Sequence, residues 1–255
     1  MSISSLITFL GKQRVYLCLK QDQIYYRSSV SIPEPYQKLL KNYKSLLINS
    51  LKPYKDTDVL ISPLSFNQQS LWFSYLMAPE SNSYHVAVPM RIFYPVDPLR
   101  IHKTLASLTS CHDQLRATFV SFSDEKVSVP CQLIPEKQTH EFLLYDVTGL
   151  TDNQIKEEVQ NFYNTPFKLS EAPALRTGLF SRSSTEHILI FLFHHIICDA
   201  QSIGIFLEDF HKHFINDNAS SANPATYTDF ITYQADYLQE HQHALLDYWK
   251  SRSSC

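Results

Sequence analysis

Glycine is scarce: there are four in 255 residues, Gly11, Gly149, Gly178 and Gly204, no two of them close together. That excludes the dinucleotide fingerprint, the P-loop and the G-x-S-x-G nucleophile elbow, each of which needs closely spaced glycines. The five cysteines, Cys18, Cys111, Cys131, Cys198 and Cys255, form no C-x-x-C pair and are odd in number. Such spacing argues against a disulfide framework or a structural zinc site. Long apolar runs are missing too. The longest, Ile188 to Phe193, is far too short to span a membrane, and the N-terminus has no basic n-region ahead of its apolar stretch. What remains is an ordinary globular composition, 44% apolar and 18% charged, and the expectation is a soluble, cytoplasmic protein with no membrane association and no bound metal.

Charge divides the chain. Residues 1–55 hold nine Lys/Arg against Asp22 and Glu34, a net of +7, whereas the remaining 200 residues are net −10. Asymmetry of this size suggests two modules with different partners. The first reads as a small helix, hairpin, helix unit. Ser2 precedes Ile3, Leu6, Ile7 and Leu10 at helical spacing, and Gly11 stands where a C′ residue belongs. Val15–Leu19 and Ile24–Arg27 are β-prone runs joined by Lys20-Gln21-Asp22-Gln23. Pro33 and Pro35 open one helix that carries Tyr36, Leu39, Leu40, Tyr43, Leu46, Leu47 and Leu51 on a single face. A core of about fifty residues is marginal alone, and such a unit usually exists to bind something.

The stretch from Leu6 to Leu51, with its "VYLCLKQDQIYYR" hairpin and leucine-rich closing helix, resembles the tubulysin-type N-terminal docking domain of peptide synthetase subunits. The resemblance implies capture of the acidic C-terminal tail of an upstream subunit as an added strand, with Arg14, Lys20, Arg27 and Lys38 as candidate docking residues. Nucleic acid is the rival partner for a basic module. Against it stand an acidic chain overall and the lack of a stacking-aromatic motif. The boundaries expected are 1–52 for this unit, 53–61 for a linker and 62–255 for the second module.

In the second module Ser65 can cap a helix bearing Leu71, Trp72, Tyr75 and Leu76. Tyr84–Phe93 and Leu175–Phe180 read as strands, Leu99–Ser110 and the region of Val159, Phe162 and Tyr163 as helices. Ile188–Phe193 is apolar at every position, as a strand buried on both faces requires. It runs into His194-His195-Ile196-Ile197-Cys198-Asp199-Ala200, then an amphipathic helix with Ile203, Phe206, Leu207, Phe210 and Phe214 on one side. Adjacent histidines on an extended strand face opposite ways, so one points into a cleft and the other supports. His211 and His213 do not share a helix face, which disfavours a metal site, and Cys198 in its apolar run reads as an inert thiol.

"HHIICDA" resembles the HHxxxDG motif of nonribosomal peptide synthetase condensation domains, in the chloramphenicol-acetyltransferase-like superfamily. Four more segments resemble that family in order: Ser62–Phe73, Cys111–Phe119 against its RHExLRTxF motif, "TPFKLSEAPALRTGLF", and "YTDFITYQADYL" through "LLDYWK". The fold implied is α/β (α+β), one lobe with a mixed sheet flanked by helices. By resemblance His195 is the active-site histidine and His194 a structural one, while Asp199 and Arg116 form a buried pair that orients the loop. The implied reaction is amide formation between acyl and aminoacyl thioesters carried on the phosphopantetheine arms of partner carrier proteins, with no cofactor bound directly. His195 would act as general base on the attacking amine or position it.

Three departures accompany the resemblance. Ala200 replaces the motif's glycine, Cys111 replaces its first arginine, and the sequence stops at Cys255, where the family's first lobe ends. The expectation is therefore a truncated condensation domain that is not competent alone. A pure interaction module and a stand-alone thioester-dependent acyltransferase are the alternatives.

Overall fold

The computed structural model describes residues 2–123, 128–216 and 225–253. Helix α1 (Ile3–Lys12) starts at Ser2, whose hydroxyl accepts the Ser5 N–H. It buries Ile3, Leu6, Ile7 and Leu10. Gly11 is not the C′ residue expected. It lies inside the helix, buried against a strand, where an added Cβ would sit 3.0 Å from Ser62 Oγ and 3.2 Å from Ser62 Cα. Its role is to let α1 approach a backbone closely.

Strands β1 (Tyr16–Lys20) and β2 (Gln23–Arg27) form an antiparallel hairpin closed by Gln21 and Asp22 alone, with φ of 48° and 58°. Two positive φ values in succession match the twist of a tight hairpin. The helix expected after Pro33 is two: α2 (Glu34–Asn42) and α3 (Lys44–Leu51), hinged at Tyr43 (φ −96°, ψ 14°). The hinge keeps its bonds, since Tyr43 N–H donates to Leu39 and Leu47 N–H to Tyr43.

The expected linker 53–61 contains structure. After a 3₁₀ turn at Lys52–Tyr54, β3 (Asp58–Pro63) pairs with β1, Tyr16 opposite Leu60 and Leu17 opposite Val59. With β5 (Thr118–Ser123) and β6 (Ser128–Pro135) this gives a five-stranded sheet, order β2-β1-β3-β6-β5. The apolar face of the first fifty residues is completed by Val59, Ile61, Phe122, Cys131 and Leu133. A unit too small for its own core shares its neighbour's.

The rest builds a second sheet, β4-β9-β8-β7, from β4 (His85–Ile92), β7 (Glu141–Asp146), β8 (Leu175–Ser181) and β9 (His187–His194). Only β7 and β8 run parallel, so the sheet is mixed. Interior β9 carries the apolar run. Helices α4 (Phe66–Met77), α5 (Pro98–Cys111), α6 (Asp152–Asn164), α7 (Ala200–Ile215) and α8 (Tyr227–Ser253) complete the lobe. α5 and α7 pack together over Phe191, Phe193, Phe206 and Phe210. No helix among the described residues is long and apolar enough to cross a membrane. Cys18, Cys111, Cys131 and Cys198 are free thiols, and Cys255 lies outside the described residues.

Candidate active site

β9 ends at His194 and the chain turns before α7. His194 is 3% exposed, its ring among those of Tyr75, Tyr84, His85 and Phe167. Its Nδ1 accepts the Ile196 N–H at 3.1 Å. Burial first, then the neighbouring His85 and His195, lower its pKa from 6.5 to about 4. His194 is therefore neutral near pH 7 and braces the turn from inside. His195, one residue on, has left the strand and is exposed; its N–H donates to the Tyr84 carbonyl at 2.8 Å. The expected division of one buried and one open histidine is present, but a turn that begins at His195 produces it, not the alternation of an extended strand.

His195 opens onto a cleft of about 380 Å³ with Asn67, Leu71, Tyr84, Asp199 and Tyr227. A second cleft of about 340 Å³ is lined by Leu115, Phe193, Phe206 and Phe230 among others. Ile197, Cys198, Ser202 and Tyr227 line both. Burial pushes the Cys198 thiol up to about 12, with Asp199 adding to the effect, so no thiolate nucleophile forms there at neutral pH. Among the described residues no group of three or more His, Cys, Asp or Glu converges to hold a metal ion. His213 is buried and hydrogen-bonded to Ser107.

The expected Asp199–Arg116 pair is not formed. Asp199 directly precedes α7, and its carboxylate caps that helix, accepting the Ser202 N–H at 2.8 Å and hydroxyl at 2.6 Å. These bonds hold the Asp199 carboxyl below its usual range. Arg116 ends the 3₁₀ turn Asp113–Arg116 and is 7% exposed. It pairs with Asp113 at 2.5 Å and donates to the carbonyls of Pro135, Thr109 and Ser110. Two of those carbonyls belong to the last turn of α5, where no intrahelical donor remains. Arg116 thus ties α5 to β6, and the turn bearing His195 is held by other groups. Ala200 is the first residue of α7 and exposed, in a helical conformation that tolerates a Cβ.

Those other groups are glutamines. Gln68, 1% exposed, donates to the Ile196 carbonyl at 3.2 Å and to Gln114 at 2.9 Å. Gln114 donates to Gln132, fully buried in β6, at 2.9 Å, and Gln132 to the Pro63 carbonyl at 3.3 Å. The relay spans from the first sheet to the residue after His195. Sequence reasoning missed it, although Ser65-Phe66-Asn67-Gln68 is a legible capping box, which the structure forms in full. Gln132, lone among apolar strand residues, was the other signal.

The candidate docking residues are mostly engaged within the chain. Arg27 pairs with Asp58 at 2.7 Å and with Glu136. Lys38 pairs with Glu34 one turn away, and Arg14 with Asp229. Lys20 is exposed beside the hairpin turn, and β2 forms the outer edge of its sheet.

A family model described as "Condensation domain" matches residues 60–254. The chain belongs to the condensation domain family. It is 32% identical over 202 residues to a linear gramicidin synthase polypeptide of Brevibacillus parabrevis, covering 75% of this chain and 4% of that protein. Against surfactin synthase subunit 1 of Bacillus subtilis (strain 168) identity is 27% over 190 residues, 74% of this chain and 5% of that one. Among solved structures, the condensation domain of the Monacolin K polyketide synthase MokA superposes with a TM-score of 0.65 at 20% identity, covering 76% of this chain and 43% of that chain. The EpoB cyclization-docking bidomain from Sorangium cellulosum superposes over 99% of this chain and 53% of its own, TM-score 0.61 at 16% identity. This condensation domain member therefore spans about half the length of those structures and a small part of the curated relatives. The bidomain likeness extends the shared fold through residues 1–59.

Proposed function

We propose that this chain supplies the first lobe of an amide-forming condensation domain in a peptide or hybrid polyketide–peptide synthetase, preceded by a docking segment of the tubulysin type. The observation that carries the reading is the division of labour at the end of β9: a buried, neutral His194 fixes the turn, and an exposed His195 faces a cleft. There the α-amine of an acceptor aminoacyl thioester attacks the carbonyl of a donor acyl thioester. The C–N bond forms as the C–S bond breaks, and one proton passes from nitrogen to the departing thiolate. His195 acts on the amine, a contribution of about 10²–10⁴-fold when it takes the proton. Both substrates arrive on the phosphopantetheine arms of carrier proteins.

Catalysis in this reading requires a second lobe that closes the cleft and aligns both arms. Apolar side chains on α4 support it: Phe73, Leu76 and Met77 are 65%, 54% and 72% exposed. The test mixes the chain with loaded donor and acceptor carrier proteins and detects the extended thioester by intact mass. No product is expected from the 255 residues alone. Product is expected when they are joined to the second lobe of a condensation domain, and it should disappear with His195→Ala. Product from the chain alone above its own His195→Ala control would overturn this reading in favour of a self-sufficient acyltransferase.

The docking part is tested on the whole chain, because the first sheet crosses the segment boundary. An acidic peptide tail should bind beside β2, more weakly as salt rises and after Lys20→Glu. Preference for nucleic acid, or binding indifferent to salt, would sink it.

A further inference from the structure

Arg14 follows α1 in a left-handed backbone conformation (φ 50°), and its side chain turns towards the far end of the sequence. Its Nη2 lies 2.7 and 2.8 Å from the two carboxylate oxygens of Asp229 and 3.4 Å from Thr226 Oγ1. Nearby, Lys12 Nζ reaches Asp236 at 3.0 Å. The end of α1 and the residue pair that follows it therefore grip the first turns of α8 by two ion pairs between residues far apart in sequence.

What lies at that helix start gives the grip its consequence. Asp229 also accepts the N–H of Thr226 at 2.7 Å and its hydroxyl at 3.0 Å, closing a cap around the entry of α8. Tyr227 sits inside this cap and lines both clefts. Its hydroxyl meets Ser65 Oγ at 2.9 Å. Ser65 in turn caps α4 and fixes Gln68, whose amide holds the Ile196 carbonyl beside His195. The links from Arg14 to the histidine turn are an ion pair, two helix caps and the Tyr227–Ser65 and Gln68–Ile196 hydrogen bonds.

We infer that Arg14 is a positioning residue for the His195 cleft, acting through Asp229, Tyr227 and Ser65, and not a residue that captures a partner's tail. This rests on the reading of His195 as the reactive group of that cleft. The N-terminal segment thereby contributes to the geometry of the site it precedes. Asp229 supplies the charge that commits Arg14, and the pair is half-exposed, so it gives direction to Tyr227 more than it adds to global stability.

The experiment uses the full chain and reads geometry. Carbethoxylation of His195 by diethyl pyrocarbonate is followed by peptide mapping, with exposed His211 as internal reference. Arg14→Ala should raise the His195 rate relative to His211 by up to roughly fivefold, the factor equivalent to about 1 kcal/mol for a half-exposed pair. Tyr227→Phe, which removes only the hydroxyl, should give the same change. Arg14→Lys and the charge swap Arg14→Asp with Asp229→Arg should restore the native ratio. Amide exchange should quicken at 226–230, at Gln68 and at 195–199, and stay unchanged elsewhere. An unchanged His195 rate in Arg14→Ala, or a rise spread over all histidines with a lowered Tm, overturns the inference. Neither readout depends on turnover, so a failure of the amide-forming reading would appear in the carrier-protein assay and leave these ratios intact.

Discussion

Acid should loosen the turn that presents His195, and His194 sets how far. In the folded chain its imidazole has a pKa of about 4, against 6.5 for a free side chain. Protonation would put a hydrogen on Nδ1 facing the Ile196 N–H and a charge into a box of aromatic rings beside His85. Because the folded pKa is the lower one, the unfolded chain binds protons first as pH falls. The stabilisation is complete above about 6.5, declines below it and is lost near 4; over that span it amounts to about 3 kcal/mol for this one group. His140, also lowered to about 4 by burial and by His102, adds a similar slope elsewhere in the lobe. The contribution of His194 is isolated by His194→Asn, whose amide oxygen can still accept from Ile196 and does not titrate. Urea unfolding at intervals from about pH 7.5 to about 4 should show the difference between wild type and variant shrinking by about 3 kcal/mol as pH falls. Two parallel curves would refute the reasoning, because a group neutral in both states contributes no slope.

Arg116→Ala should cost about 3–5 kcal/mol, since it strands Asp113 and three carbonyls. Asp199→Ala removes only a helix cap, worth about 0.5–2 kcal/mol. Their double variant should be additive within about 0.5 kcal/mol in urea unfolding, and coupling well above that would restore the direct pair. Gln132→Leu leaves the half-buried Gln114 amide without its acceptor and should lower stability by about 1–3 kcal/mol, with faster amide exchange at Ile196. Gly11→Leu should lower the Tm despite better helix propensity, because α1 and β3 leave no room for a side chain; an unchanged Tm would mean the two can separate freely.

Much of the fold was legible where periodicity speaks for itself. The all-apolar run of β9, the cap at Ser65 and the amphipathic face of α7 each follow from local pattern, and each appears in the structure. Errors came where a residue's fate depends on distant chain. Gly11 looks like a helix terminator until β3 is seen pressed against it, and residues 53–61 look like a linker until β1 is seen pairing with them. Arg116 and Asp199 were joined by resemblance, whereas short-range bonding claims each one first: a helix end for the arginine, a helix start for the aspartate. The glutamine relay escaped because each member is unremarkable alone. Only the approach of β6 to α4 makes a circuit of them.

The pairing of β1 with β3 bears on how such polypeptides can be recombined. A cut after residue 52, just ahead of where the charge changes sign, would divide one sheet between two chains. It would leave Leu17 and Leu19 without Val59 and Ile61 on one side, and an unpaired β3 edge on the other. A transplantable cassette must therefore carry the hairpin, β3 and the surfaces of β6 and α8 that face α1. Grafting a foreign segment at the charge boundary should yield aggregation-prone chimeras, whereas replacing only exposed side chains of β2 and α2 should leave the seam whole.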